Sequence, residues 1–395
     1  MAIYGRILRV PGVALLITAA TLTRLPFAIN GLAVILFLRE TTGSFATAGL
    51  VAGALALGAG LGAPAAARLV DRRGAIWLLP LAAGHAAAIL GLWGLGEIAA
   101  PAAALVAIGL AAGATFPPSG AVLRSRWPEL LDGDPELVRG AYAFDSVTIE
   151  ISFVSGPLIT GALVAISGPE AGLALSSVLV VVGTLLFLSR LPDRRRAIPA
   201  TEHNGGLGPL RSPALRMIAL TTIPVGFCIG TIEVTLPAFS EEAGDAALAG
   251  VLLALWSLAS GVGGLIFGAR QSRRELLDTY LLIGLVFPLA CLPMLAASSP
   301  LSMGLLVLLA GAPIAPLIAT RNELISLVAP SGTATEAFTW LMTALIAGLA
   351  LGTAIAGAVI ESAGWPEAVL VGVAVAGVGA VMTFARRGSL RPALA

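Results

Sequence analysis

Arg68-Leu69-Val70-Asp71-Arg72-Arg73-Gly74 stands between two long apolar runs, 46–67 before it and 75–95 after it. Each run is long enough to cross a bilayer, because about 20 apolar residues at a rise of 1.5 Å cover the ~30 Å hydrocarbon core. The stretch between them is therefore predicted to be a tight turn at the membrane surface, with three arginines and one aspartate in it. Arginine-rich connections remain on the cytoplasmic side, which gives this turn, and the rest of the chain with it, an orientation.

The composition agrees. Of 395 residues 57% are hydrophobic and 11% charged, where soluble domains carry about 25% charged residues. The mean hydropathy is +0.96, which excludes a water-soluble fold. The 47 glycines exceed the usual ~7%; in membranes small residues let helix backbones approach closely. All 23 basic residues are arginine. Without lysine there is no G-x-x-x-x-G-K phosphate loop and no Schiff-base lysine, so ATP hydrolysis by that route and retinal-type pumping are excluded. Cys228 and Cys291 lie inside apolar runs, with no metal-type spacing, and are expected to be inert core residues. No cofactor or metal is expected. The run after Arg6 and Arg9 is too long for a signal-peptide core and reads as a retained first span.

Apolar runs separated by polar breaks give twelve predicted spans, at 12–38, 45–70, 75–96, 99–123, 140–166, 170–190, 214–239, 246–270, 275–297, 300–328, 334–361 and 367–386. Nearly all arginines outside the spans fall on one face; the other face has Arg39 with Glu97, Glu170, Glu241, Glu242, Asp245, Glu361 and Glu367. The fold class is thus an all-α membrane protein with both termini cytoplasmic, expected as a multi-pass protein of the inner membrane. The break at 192–212, with Arg194-Arg195-Arg196, divides it into an N-terminal half, 1–191, and a C-terminal half, 213–395. The halves resemble repeats: a shift of 201 superposes Gly60 on Gly261 and Arg72-Arg73 on Arg273-Arg274, while a shift of 196 superposes Gly156 on Gly352. Ser272 stands in the second half where Asp71 stands in the first.

The first polar turn resembles the signature between the second and third helices of the major facilitator superfamily, roughly G-x-L-a-D-r-x-G-r-k. Leu69, Asp71, Arg72 and Gly74 match it, whereas Ala67, Ala75 and Ile76 depart from it. Ser155-Gly156-Pro157-Leu158-Ile159-Thr160-Gly161 resembles the G-x-x-x-G-P-x-x-G-G signature of the superfamily's proton-coupled exporters, with Ser152 and Thr160 in place of two glycines. Gly156, Pro157 and Gly161 would allow a bend and close helix packing. The resemblance implies two six-helix halves around a mid-membrane substrate site, with spans 1, 4, 7 and 10 lining the cavity. It also implies that Asp71 holds the cytoplasmic side closed against the start of the eleventh helix, where Thr333 to Glu336 form a capping box.

An ionisable group in a span costs about 2.5–3.5 kcal/mol on insertion scales, so each needs a reason to be there. Arg24 in span 1 and Glu233 in span 7 lie furthest from span ends, and Glu150 in span 5 follows. These three are the proton-coupling candidates. A carboxylate without a steady partner in a dry cavity holds its proton more tightly, and a nearby arginine reverses this, so Arg24 is expected to control Glu233. Glu150 can pair with Arg124 or Arg126. Asp145 reads as an acid stabilised near a helix start, close to Arg139. Arg321 can snorkel to the interface, and Asn322, Trp256 and Trp340 join Arg24 and Glu233 as candidates for the cavity lining. His85 is expected to bond a carbonyl.

The functional expectation is a secondary active transporter that exports an amphipathic small molecule by proton antiport with alternating access. Its partners are that molecule, protons and the lipid bilayer, not nucleic acid. The alternative is a proton-coupled importer of a small organic solute. A membrane enzyme lacks its parts, with two histidines and no H-E-x-x-H; a lipid-flipping protein, or a receptor that kept the fold, remains a different class.

Overall fold

In the computed structural model residues 2–192, 212–269, 275–328 and 334–390 are described. Fifteen α-helices occupy them: α1 (Ala2–Arg9), α2 (Val13–Thr42), α3 (Phe45–Arg73), α4 (Leu78–Glu97), α5 (Ala102–Ala114), α6 (Ser119–Leu130), α7 (Pro135–Ser167), α8 (Glu170–Arg190), α9 (Pro213–Glu242), α10 (Leu248–Ala269), α11 (Leu276–Cys291), α12 (Pro300–Gly311), α13 (Ile314–Val328), α14 (Ala334–Ser362) and α15 (Trp365–Ala385). Among the described residues, 11 helical segments are long and apolar enough to cross a membrane. The expected fifth span falls on α7, whose apolar part is the shorter Ile151–Ser167, because Arg139, Asp145 and Glu150 occupy the preceding turns. Of the expected linker, 192–212, residues 193–211 lie outside the described residues, as do Ser272, Arg273, Arg274 and Thr333.

The structure departs from the expected pattern in three ways. The Arg68–Arg73 stretch is not a loop but the last turns of α3. The chain turns only at Gly74, whose φ of 91° suits a residue without a Cβ and whose N–H caps the Val70 carbonyl at 2.7 Å. Arg72 and Arg73 thereby sit at the negative pole of the helix, and Arg73 stacks 4.8 Å above the Trp77 ring. The fourth and tenth spans are each broken. α5 and α6 separate at Pro117-Pro118, and α12 and α13 at Pro313, where the proline lacks the N–H that would continue the ladder. The third departure is α1, a short helix before the first span, whose Ile7 is buried and whose Arg6 reaches Asp134 at 3.3 Å.

The helices before and after 193–211 pack as two groups. In the first, α2 packs on α7 and α8, and α3 on α5; in the second, α9 packs on α14 and α15, and α10 on α12. The groups meet chiefly through α3 on α14 and α7 on α10. Small residues permit this closeness. A Cβ on Gly53 would fall 2.6 Å from the Ala350 carbonyl oxygen, and one on Gly161 2.7 Å from that of Ala247. Leu61, Ile166, Leu265 and Leu301 are exposed on the outer surface, as side chains in contact with lipid would be.

Most glycines of the seam, Gly49, Gly53, Gly161, Gly250 and Gly357, lie toward the end of the bundle opposite the arginine-rich turn, here called the far end, and Gly60 meets Ile346 nearer its middle. Polar contacts cross between the groups at the far end too. Arg39 donates to Glu241 at 2.7–3.1 Å, and Glu361 accepts from Ser44 Oγ at 2.6 Å and Ala46 N at 3.0 Å.

Candidate functional site

Arg24 is a cation in an otherwise apolar stretch of α2, and the fold brings it a counter-ion from a different helix than expected. Its Nη1 lies 2.5 Å from Asp145 Oδ1 of α7, and Arg124 Nη1 of α6 donates to Asp145 Oδ2 at 2.9 Å. The Arg24 side chain keeps 14% of its surface and Asp145 3%. Arg24 Nη1 also reaches Thr148 Oγ1 at 3.2 Å, while that hydroxyl donates to the Asp145 carbonyl at 2.7 Å.

The break at Pro117-Pro118 places α6 for this contact. Ser119 at its start shares a hydrogen bond with Thr23, and Gly120 leaves room for the guanidinium: a Cβ there would fall 2.7 Å from Arg24 Cζ. Arg24 Nη2 is buried without a hydrogen-bond acceptor among the described residues. One step along α2, Phe27 meets Phe116 and Phe153 edge to face, at 5.6 and 6.4 Å. The result is a polar cluster at the junction of three helices, with an aromatic wall beside it.

Glu233 of α9 is half-buried between buried Ile232 and Val234. It makes no hydrogen bond or ion pair among the described residues, Arg24 included. In this structure Arg24, expected to control Glu233, is paired with Asp145. Asp145, expected to be stabilised near its helix start, is held by two arginines, Arg24 and Arg124. Arg126, offered as a partner for Glu150, bonds Glu129 at 2.9 Å. The side chains of Asp71, Glu150 and Arg139 lie outside the described ones.

Arg321 does not snorkel. It is 4% exposed inside the second group, beside Tyr280, and its Nη2 reaches Asn322 Oδ1 at 3.4 Å. Trp256 is buried against Gly311 between α10 and α12, a packing position, whereas Trp340 is half-buried on α14. Gly156 packs on Ala28 of α2, and Gly161 with Pro157 on Gly250 of α10; α7 stays helical throughout Pro135–Ser167. His85 Nδ1 lies 2.7 Å from the Ala112 carbonyl, as expected, and its Nε2 lies 3.2 Å from Asn30 Nδ2. The Asp145 cluster was the residue set hardest to see in sequence. Its signal was two arginines and one acid, in or beside spans 1, 4 and 5, without register to join them.

Long apolar helices with buried ionisable groups at their junctions define a multi-pass membrane protein. The family model of the Major Facilitator Superfamily matches residues 16–276. An uncharacterised MFS-type transporter of Sinorhizobium fredii, y4rN, is 28% identical over 280 residues, 67% of this chain and 68% of its own. The fold is similar to that of the nucleoside transporter NupG, with a TM-score of 0.77 at 14% identity over 94% of this chain and 99% of that one. It is also similar to a bacterial homologue of the iron transporter ferroportin in its inward-facing state, with a TM-score of 0.72 at 15% identity over 94% and 97%. The chain belongs to the Major Facilitator Superfamily and is a membrane transporter of that family.

Proposed function

We propose that this chain is a secondary active transporter of the inner membrane that exports an amphipathic small molecule in exchange for protons. In this reading twelve spans form two six-helix halves, 1–191 and 213–395, with both termini and the arginine-rich end in the cytoplasm. Alternating access rocks the halves about a mid-membrane site. The polar contacts that close the far end, from Arg39 to Glu241 and from the start of α3 to Glu361, support an inward-facing state.

One observation carries the coupling: Glu233 lacks a polar partner among the described residues, while Arg24, the arginine expected to control it, is engaged by Asp145. A charge held in a span costs about 2.5–3.5 kcal/mol, and a proton cancels it. Glu233 is thus the side chain whose charge a proton can switch without breaking an ion pair. Arg24, tied to Asp145 and Arg124, instead holds the first half's helices together and offers a positive edge to the substrate. The aromatic wall of Phe27, Phe116 and Phe153 suits an amphipathic molecule better than a sugar, which needs many hydrogen-bonding side chains.

The test is proton movement in proteoliposomes with a pH dye inside. Compounds found by thermal shift are added outside, and an exchanger makes the interior more alkaline as substrate enters. Acidification would make it a symporter, hence an importer in the cell, and substrate entry without proton movement would remove the coupling.

A further inference from the structure

The two polar contacts at the far end differ from ordinary surface ion pairs in what they join. Arg39 ends α2, in the first group, and Glu241 ends α9, in the second. The guanidinium donates through Nε at 2.9 Å and Nη2 at 2.7 Å, a two-point geometry that fixes orientation as well as distance. Arg39 is itself braced by its Nη1, which donates to the Gly43 carbonyl, and by the Phe45 ring 4.7 Å from its Cζ.

The second contact is a helix cap supplied from across the seam. Ser44 caps α3 by accepting from Thr47 N at 3.1 Å. Its hydroxyl then donates to Glu361 Oε2 at the end of α14, which also accepts from Ala46 N. The first backbone N–H groups of a helix have no partner within it and carry its positive pole, so a carboxylate there is favoured. Here the carboxylate belongs to the opposite group. Separating the groups therefore removes two contacts at once: the bidentate pair and half the capping of α3.

We infer that Arg39–Glu241 and Glu361 on the α3 start form a two-point latch that holds the far end closed and biases the transporter toward its inward-facing state. The inference rests on the reading that the two halves rock, since a latch has meaning only between bodies that part. Between these contacts lies a surface pocket of about 460 Å³ lined by Arg39, Phe45, Glu241, Glu361 and Trp365. The latch is thus reached by solvent. Exposed pairs are individually weak, which suits contacts that break and re-form in every cycle.

The experiment measures the distance between spin labels at Glu97→Cys and Ser298→Cys, both exposed on connections of opposite groups at the far end, with Cys228 and Cys291 replaced by alanine. In Arg39→Gln and in Glu361→Gln a longer distance should gain population, with the ratio of open to closed rising about two- to five-fold for each contact removed. The exchange Arg39→Glu with Glu241→Arg should return the parent distribution, which a merely misfolded protein would not do. Gly49→Leu serves as the reference for rocking, because a side chain there would meet the Thr353 backbone and must wedge the far end open. If Gly49→Leu lengthens the distance but Arg39→Gln with Glu361→Gln leaves it as in the parent, the latch is overturned while rocking stands. If Gly49→Leu leaves it unchanged as well, rocking fails and the latch with it.

Discussion

Asp145 of α7 receives Arg24 from α2 at 2.5 Å and is 3% exposed, so the deepest ion pair of the first group joins the helices of spans 1 and 5. Arg124 from α6 completes it at 2.9 Å. This cluster determines which groups remain available for coupling: Arg24, the arginine expected to control Glu233, is already engaged.

Because Asp145 is buried between two arginines, removing Arg24 leaves its charge to the more exposed Arg124 alone. Arg24→Ala should lower the thermal stability of the purified protein clearly, while Arg24→Ala with Asp145→Asn should recover part of the loss. The coupling between the two sites is expected at about 1–3 kcal/mol. Additive losses in a melting series would show that the two side chains do not act as a pair. Gly120→Ala should mimic the single loss in part, since its methyl would intrude on the guanidinium.

The proposed orientation is checked with single cysteines in a background lacking Cys228 and Cys291. Positions Glu97 and Glu242, both exposed, should label from outside intact cells, and Arg73 and Glu202 should not. External labelling at Arg73 would reverse the whole assignment of sides.

Asp71 lies in the last turn of α3, at the arginine-rich end. In the proposed cycle it meets the start of α14 when that end closes, and the positive pole of that helix favours an anion by about 0.3–1 kcal/mol. Asp71→Asn should therefore deplete the outward-facing population by about two- to five-fold and slow turnover, with little change in melting temperature. Spin-label distances at the arginine-rich end, compared with transport rates, check this; no change in either would remove Asp71 from the cycle.

Much of the fold could be read in the residues. Span lengths follow from uninterrupted apolar runs, and most span limits lie within a few residues of the helix ends. The arginine turn was misread only locally, as a loop rather than as a helix end, because Gly74 and not Asp71 makes the chain turn. The breaks at Pro117-Pro118 and Pro313 were legible in principle, since proline removes a ladder bond, but the surrounding apolar run masked them. The site was less legible. Arg24, Asp145 and Arg124 are far apart in the chain, and hydropathy gives each span's existence without its rotation, so the partner of Arg24 could not be chosen between Asp145 and Glu233. Glu361 looked like an ordinary acid at a span end; that it caps α3 depends on a seam between helices that no local pattern reveals.

The claim that Glu233 carries the proton is tested most directly by Glu233→Gln in proteoliposomes under an imposed pH gradient. The variant should still bind the transported compound, seen as an unchanged thermal shift, and should equilibrate it across the membrane. It should not accumulate it, whereas the parent concentrates it by up to tenfold per pH unit for a one-for-one exchange of a neutral substrate. Accumulation by the variant equal to the parent's would contradict the account and pass the role to another carboxylate, Glu150 first.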